Sequence, residues 1–326
     1  MSEIKVNSIK GVGASAAAIT VNNSDGTCRA NITNNLSNRN KEINGAMPVS
    51  QRYGKSAVTT VNAYNIDRWQ NVFSGTIGAY SFSQSTDSPD GFANSYKIDV
   101  TTADTSLGST DVHYFRTALE GQDVQDFAKG TSSAKKFTLS FYVKTTKTGT
   151  YIVNLTDADN SRECSASYTV SNTNWNRYTV SFPADTTGAF TNDNNVSLRV
   201  LFALSGGSAF QSGTLSTSWA TSADANRLVG QVNLADNTSN EWLITGIQLE
   251  VDHTGSGKAT DFEHRSYAQE YDLCRRYYER WEGASFNPFL MAMAYQTTIA
   301  YAPFFWYPKR DVPSLEYSNI SHFDRL

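Results

Sequence analysis

The fold is decided by residues 137–143, which read FTLSFYV and place an apolar side chain at every second position. This period of two is typical of a strand that buries one face. Similar strand-forming runs lie at residues 66–73, 77–84, 96–100, 112–119, 151–155, 166–170, 175–182, 196–202 and 242–251. Short strands at regular spacing with polar turns predict a mostly β protein. We expect an antiparallel β-sandwich, a jelly roll of about ten strands, over residues 41–253, with a helical turn at 124–128.

Composition and charge restrict the class of protein further. Of the 326 residues, 39% are hydrophobic and 18% are charged, and Ser, Thr, Asn and Gly make up much of the rest, which disfavours helices. The net charge of −4 provides no basic field for a nucleic acid partner. The first residues lack the apolar region of an ordinary signal peptide, and the longest apolar run is too short to cross a bilayer. We therefore expect no nucleic acid binding and no membrane insertion.

Residues 1–40 have the pattern of short strands, with a turn signal at Asp25-Gly26, but cannot form a core of their own. Their few medium-sized apolar side chains bury too little surface to offset the conformational entropy lost on ordering. We therefore expect an attachment or trimerisation arm that a partner or copies of the chain complete. The apolar residues of this arm are Ile4, Val6, Ile9, Ile19, Val21 and Ile32.

A helix is predicted over residues 266–282. Ser266 and Gln269 make a capping box, Gly283 is a stop signal, and a heptad-like seam spaced 4, 3, 4 and 3 runs through Tyr267, Tyr271, Cys274, Tyr278 and Trp281. This aromatic seam packs either on the sandwich or on another subunit. The domain prediction is then completed by a linker and helix at 254–285 and a small β tail at 286–326.

No catalytic motif, metal site or cofactor site is expected. The three cysteines (Cys28, Cys164 and Cys274) are far apart and predict free thiols, and no two histidines have the spacing of metal ligands. Residues 157–163 have the Asp-x-Asx spacing of a calcium loop but lack its Gly and its terminal Glu, so an ordinary turn is the favoured interpretation. We expect a protein that is not an enzyme.

Carbohydrate binding is the chemistry that suits a polar surface with scattered aromatic rings. Sugars stack their C–H faces on aromatic rings and hydrogen-bond to amides and hydroxyls. In the long polar loop at 205–225, Phe210 and Trp219 are candidates for such a platform. The alternative is that these two rings fix the loop to the sandwich.

Three parts of the chain resemble the tail fibre proteins of tailed bacteriophages, especially cyanophages and marine phages. The first consists of IKVNSI (4–9), ITV (19–21) and DGT (25–27), and the second of NGAM (44–47), QR (51–52) and DRW (67–69). The third and most specific consists of ITGIQLEV (244–251), FEHRSY (262–267) and CRRYY (274–278). The middle strands, with Trp175 and Tyr178, resemble the jelly roll of a carbohydrate-binding module.

The resemblance implies a homotrimer in the phage virion, made in the cytoplasm of the host bacterium. The arm would attach to the tail tube, the baseplate or an adaptor protein, and the distal end would meet host polysaccharide or lipopolysaccharide. Two alternatives stay open. One is a carbohydrate-binding or depolymerising module of a glycan-active enzyme, and the other is a capsid or baseplate decoration protein.

Overall fold

The computed structural model of the protein describes residues 6–13, 17–24, 28–30, 37–252, 255–281, 293–296, 299–301, 303 and 305–316. These contain one α-helix, five short 3-10 turns and sixteen strands. The strands are β1 (Ser8–Ile9), β2 (Ile19–Val21), β3 (Cys28–Ala30), β4 (Gln70–Ser74), β5 (Ala79–Ser85), β6 (Ser95–Thr102), β7 (Val112–Glu120), β8 (Phe137–Thr145), β9 (Gly149–Asp157), β10 (Arg162–Val170), β11 (Asn176–Phe182), β12 (Val196–Gly206), β13 (Ala220–Thr221), β14 (Glu241–Val251), β15 (Met293–Gln296) and β16 (Ile299–Tyr301). The helix α1 is Tyr267–Arg275.

Two antiparallel sheets form the β-sandwich, as the alternating pattern predicts. One sheet has six strands in the order β13-β10-β9-β12-β7-β4, and the other has five in the order β11-β8-β14-β6-β5. Their inner faces enclose one core, in which the apolar positions of β8 are all fully buried. Phe115 stacks on Trp69 at 5.0 Å and on Tyr96 at 4.8 Å. Each large side chain buried here contributes roughly 1.5–3 kcal/mol to folding.

The outer faces of the two sheets are covered differently. Residues 257–265 cover the five-stranded sheet, where the Thr260 hydroxyl donates to Glu250 and the Glu263 amide donates to Gln248. On the six-stranded sheet, the segment 207–232 covers only part of the face. Its Phe210, Leu215 and Leu228 form a second apolar cluster with Val112, Tyr114, Ile152, Leu201 and Ala203. The rest of this face stays half-exposed.

Helix α1 ends at Arg275, so the prediction of a helix to residue 282 was wrong. Its start was predicted correctly, because both hydrogen bonds of the capping box between Ser266 and Gln269 are present. Beyond Arg275, the side chains of Arg276 and Tyr277 both hydrogen-bond to Glu120 of β7. These tertiary contacts turn the chain out of the helix. Tyr278 and Trp281 therefore follow α1 instead of lying on it.

Three smaller differences from the sequence prediction concern element boundaries. The strand predicted at 66–73 begins at Gln70, because Ile66 and Trp69 form a tight turn in which the Trp69 amide donates to the Ile66 carbonyl. The helical turn predicted at 124–128 is a pair of 3-10 turns at Gly121–Asp123 and Gln125–Phe127. The long loop at 205–225 contains two further 3-10 turns and the short strand β13.

The ends of the chain form two small sheets of their own. In the arm, β1, β2 and β3 pair in that order, and Val6, Ile9 and Val12 are exposed. Near the other end, β15 pairs with β16. Ile4, Ile32, the Asp25-Gly26 turn signal and Gly283 lie outside the described residues. No helix within the described ranges is long and apolar enough to cross a membrane.

Candidate functional site

Neither predicted platform residue presents an aromatic face to solvent. Trp219 is 9% exposed, donates its indole N–H to the Pro183 carbonyl at 2.9 Å and meets the Phe137 ring edge-on at 5.9 Å. Phe210 is equally buried, in the apolar cluster on the six-stranded sheet. Both rings therefore fix the loop to the sandwich, which is the alternative that the sequence left open.

The Asp-x-Asx run after β9 forms a turn whose cation is a lysine of the chain itself. The Lys129 ammonium lies 2.6 Å from Asp157 Oδ2 and 3.0 Å from Asp185 Oδ2. It also donates to the backbone carbonyls of Thr187 and Gly188 at 3.0 and 2.7 Å. Among the described residues, no group of three or more His, Cys, Asp or Glu side chains is arranged to hold a metal ion. The turn thus binds its own ammonium group where a calcium loop binds a metal.

The two cysteines with described side chains are buried free thiols. Cys164 lies in the sandwich core, and Cys274 lies on the buried face of α1 against Ile43 and Val49. Burial raises the pKa of the Cys164 thiol to about 12. It also raises that of Cys274. Neither thiol is therefore available as a thiolate nucleophile at neutral pH.

A surface depression lies between α1 and the loop at residues 50–56. It has two adjoining parts, of about 240 and 490 Å³, which share Ser50, Gln51 and Arg280. The smaller part is completed by Tyr267 and Tyr271, whose rings are nearly parallel at 15° with centroids 5.9 Å apart. The larger part is completed by Arg52, Tyr53, Gly54 and Ser56. We call this feature the α1 depression.

The orientation of α1 explains why its two tyrosines lie together at this edge. Residues four apart share a helix face, and the capped first turn fixes where that face points. The buried Glu270 anchors α1 to the sandwich, because it accepts from the backbone amide of Asn44 at 2.7 Å and from Arg265 at 3.0 Å. Tyr267 is consequently 61% exposed, while Tyr271 is half-buried.

Gln51 connects the floor of the α1 depression to buried polar groups. Its side-chain amide donates to Asp67 at 2.7 Å and to the Tyr278 carbonyl at 3.0 Å. Its Oε1 atom is buried and accepts no hydrogen bond within the described part of the protein. A buried acceptor without a donor costs roughly 1–3 kcal/mol.

Arginine and tyrosine side chains continue from the α1 depression onto the six-stranded sheet. The Arg52 guanidinium stacks on Tyr278 at 3.5 Å and lies 5.8 Å from the centre of the Tyr64 ring. Tyr64 in turn acts electrostatically on Arg116, as does Arg199. We call the series Arg280, Arg52, Tyr64, Arg116 and Arg199 the arginine strip.

The two arginines at the far end of the arginine strip are close enough for their positive charges to repel each other. Arg116 donates to Gln70 Oε1 at 3.2 and 3.0 Å. Burial and the neighbouring charge of Arg199 lower the pKa of the Arg116 guanidinium. In the register of the sheet, Arg199 lies between Ala118 of β7 and Thr156 of β9, both of which are small.

Glu42 is the most perturbed carboxyl group that the structure describes, yet it does not line the depression. It is fully buried, and neither oxygen has a hydrogen-bond partner among the described residues. Burial raises the pKa of Glu42 to about 8, against the opposing effect of the Arg68 and Arg265 charges. Structural roles thus account for residues 157–163, Cys164, Cys274 and Glu42. The α1 depression and the arginine strip remain as the candidate site.

Comparison with known proteins gives structural similarity only. No family model matches the chain, and no curated protein matches it. Among solved structures, the chain is similar to a family 11 carbohydrate-binding module of a cellulosomal cellulase of Clostridium thermocellum, with 12% identity over 61% of this chain and 96% of that one and a TM-score of 0.31. It is also similar to a family 22 module of a Clostridium thermocellum protein, with 11% identity over 64% and 98% of the two chains and a TM-score of 0.32. At TM-scores this low, the similarity carries no argument about function.

Proposed function

We propose that this chain is a non-catalytic glycan-binding component of a larger assembly, as the resemblance to phage tail fibres implies. The observation that supports glycan binding is the α1 depression. It combines the stacked rings of Tyr267 and Tyr271 with the amide of Gln51, the guanidinium of Arg280 and nearby hydroxyl groups. Aromatic faces and fixed polar groups together are what sugar recognition needs.

The same lining supports a binding role over catalysis. Glycoside hydrolysis uses two carboxyl groups on either side of the scissile bond. The described residues that line the α1 depression are Ser, Gln, Arg, Tyr and Gly, and none of them carries a carboxyl group. Glu42, whose pKa burial raises to about 8, is sealed inside the protein. We therefore favour a binding protein over a depolymerase.

The positions of exposed apolar side chains support the assembly. Within residues 37–252, Val61 and Tyr64 are the only large hydrophobic side chains that are exposed. The other exposed ones on the described parts of the chain are Val6, Ile9, Val12, Tyr267, Leu273, Trp281, Met293, Tyr295, Tyr301, Phe305, Trp306, Val312 and Leu315. Apolar surface that clusters in this way is typical of protein interfaces. We infer that partners cover both ends, with copies of the chain forming a homotrimer and a tail or baseplate protein binding the arm in the virion.

Substitution in the α1 depression tests glycan binding. On a glycan array, the full chain is expected to bind a host surface polysaccharide, and Tyr271→Ala is expected to weaken that binding about tenfold. A stacked ring contributes about 1.5 kcal/mol, which corresponds to that factor. Tyr271→Phe keeps the ring and should keep most of the affinity. Trp175→Ala, which removes a half-buried ring outside the α1 depression, is the control.

Two results would overturn the proposal. If Tyr271→Ala and Tyr267→Ala both bind as well as the unaltered chain, the α1 depression is not the glycan site. If incubation with the bound polysaccharide releases reducing ends, the protein is a depolymerase.

A further inference from the structure

We propose that the ligand of this surface is an acidic polysaccharide whose carboxylate or sulfate groups bind Arg116 and Arg199. This inference rests on the proposed glycan-binding function, and it names the class of glycan. The polysaccharide would lie along the arginine strip, from the α1 depression past Tyr64 onto the half-exposed face of the six-stranded sheet.

Arg199 carries a positive charge on the half-exposed face of the six-stranded sheet. Within the described residues, the side chain of Arg199 makes no hydrogen bond and no ion pair, although it is half-buried on the central strand β12. The other arginines within residues 37–252 each contact a carboxylate, a hydrogen-bond acceptor or an aromatic ring, for example Arg162 with Asp185 and Arg177 with the Ser140 hydroxyl. The chain has 31 acidic residues, so the lack of an acidic partner for Arg199 is not due to a shortage of carboxylates. The guanidinium of Arg199 is thus held at the surface with its donors unused.

The nearest carboxylate in the same row of the sheet is already neutralised. Glu163 of β10 pairs with Thr156, which in turn pairs with Arg199. Glu163 accepts from Arg227 at 2.6 Å and from the Ala223 amide at 2.9 Å, and both donors belong to the covering segment 207–232. The donors of segment 207–232 therefore neutralise Glu163, and the positive charge of Arg199 stays uncompensated in this row of the sheet.

Arg116 adds a like charge beside Arg199, because it lies on the neighbouring strand two residues from Ala118, the partner of Arg199. Only the neutral Gln70 side chain holds Arg116, so the repulsion between the two guanidinium groups is not relieved by any described carboxylate. An anionic group between them would relieve that repulsion. Guanidinium groups bind planar or tetrahedral oxyanions through paired N–H donors, which suits a sugar carboxylate or sulfate.

This arginine pair is continuous with the tyrosine and arginine side chains of the α1 depression. Tyr64, which is 40% exposed, lies 5.8 Å from the Arg52 guanidinium. The loop that carries Tyr64 also contacts Gln70, the partner of Arg116, because the Gln70 side chain donates to the Asn62 carbonyl at 3.1 Å. The Arg280 guanidinium donates to the backbone carbonyls of Gln51 and Arg52, which fixes it at the rim. Alternating charges and aromatic rings along one path match a polymer whose sugar rings stack while its acidic groups pair.

The test compares charged and neutral polysaccharides against charge variants of the full chain. Affinity is measured for dextran, dextran sulfate and polygalacturonate, so that the two acidic polymers separate sulfate from carboxylate recognition. We expect at least one acidic polymer to bind at least tenfold more tightly than dextran. Arg199→Gln and Arg116→Gln should each weaken that binding about tenfold, and Arg199→Lys should restore part of it. Lys135→Gln removes one charge from an exposed site outside the arginine strip and should have less than a twofold effect.

Each other outcome overturns this inference in a distinguishable way. If acidic polymers bind equally well to Arg199→Gln and Arg116→Gln, or do not bind at all, the acidic ligand is wrong. Glycan binding that still depends on Tyr271 would then leave the proposed function standing. If a single-stranded DNA 20-mer binds more tightly than every polysaccharide and depends on Arg199, the ligand is a nucleic acid. Thermal unfolding of each variant, expected within a few degrees of the unaltered chain, shows that the losses are not due to misfolding.

Discussion

Lys129 is a buried cation that four oxygen atoms surround. The side chain of Asp157 is also fully buried, so removing the ammonium leaves an uncompensated negative charge in the protein interior. Asp185 loses less, because Arg162 also binds it through two hydrogen bonds. The cost of breaking such a buried pair is several times that of breaking a surface pair.

Lys129→Met is therefore expected to lower the free energy of unfolding by about 3 kcal/mol in urea denaturation. Lys144→Met, which breaks the half-exposed pair with Asp87 at 2.6 Å, is the control and should cost less than about 1 kcal/mol. Lys129→Ala leaves two carboxylates and two carbonyls around a vacated space, a set of ligands that suits Ca²⁺. Added Ca²⁺ should raise the melting temperature of this variant but not that of the unaltered chain. Equal stability of Lys129→Met and Lys144→Met would contradict this account.

Glu42 makes stability depend on pH through a single buried carboxyl group. Its pKa is about 8 in the folded protein and near 4.5 in the unfolded chain, so the folded state holds the proton more tightly. The stabilisation is complete below the unfolded pKa and is lost as pH rises towards 8. The slope is at most roughly 1.4 kcal/mol for each pH unit.

Glu42→Gln should remove this component, so the variant should gain stability relative to the unaltered chain as pH rises from 5 to 8. Taking the difference between the two proteins cancels other groups, such as Asp67, whose pKa is also raised by burial. Glu241→Gln removes a half-exposed carboxylate that pairs with Lys97 and is the control. Denaturant melts of the three proteins across this pH range provide the measurement. A difference between Glu42→Gln and the unaltered chain that does not change with pH would show that Glu42 is ionised in the folded state.

At the scale of elements, the strands were predictable and the end of the helix was not. Strand positions follow from local alternation, which the sequence displays directly, as in FTLSFYV at β8. The end of α1 depends on Glu120, which lies more than 150 residues before Arg276 and Tyr277. A contact between residues this far apart in sequence leaves no local pattern from which the end of the helix could be predicted.

The candidate site was predictable only in part, for the same reason. Helical spacing identified Tyr267 and Tyr271 as part of an aromatic seam that packs on the sandwich or on another subunit. Their polar neighbours Ser50 and Gln51 come from a distant loop. The arginine pair becomes visible only when β7 and β12 are placed side by side. One signal was available in the sequence. Arg116 and Arg199 are each the only Lys or Arg in a strand that is rich in apolar residues, which marks an outward position with an unexplained charge.

At the scale of the whole molecule, the sandwich and the chain ends differ in how completely they bury their apolar groups. The sandwich includes the last residue of the predicted 1–40 arm and the residue after it. Asn40 donates to the Ile247 carbonyl at 3.2 Å, and the Lys41 amide donates to the Leu249 carbonyl at 2.8 Å. By contrast, the arm pairs its own short strands and leaves Val6 and Ile9 about half-exposed. Three strands of this size are too few to be stable without a partner surface.

Deleting residues 1–36 should therefore change assembly without unfolding the sandwich. The full chain is expected to be a trimer in solution and the deletion variant a monomer, with the same β-sheet circular dichroism and the same affinity for glycan. The double substitution Val6→Ser and Ile9→Ser should weaken the trimer in the same direction, because it removes apolar contacts and keeps the length of the arm. Light scattering coupled to size-exclusion chromatography measures the mass. A deletion variant that stays trimeric would assign the contact to α1 or the sandwich, and a full chain that is monomeric would favour an isolated carbohydrate-binding module over a fibre.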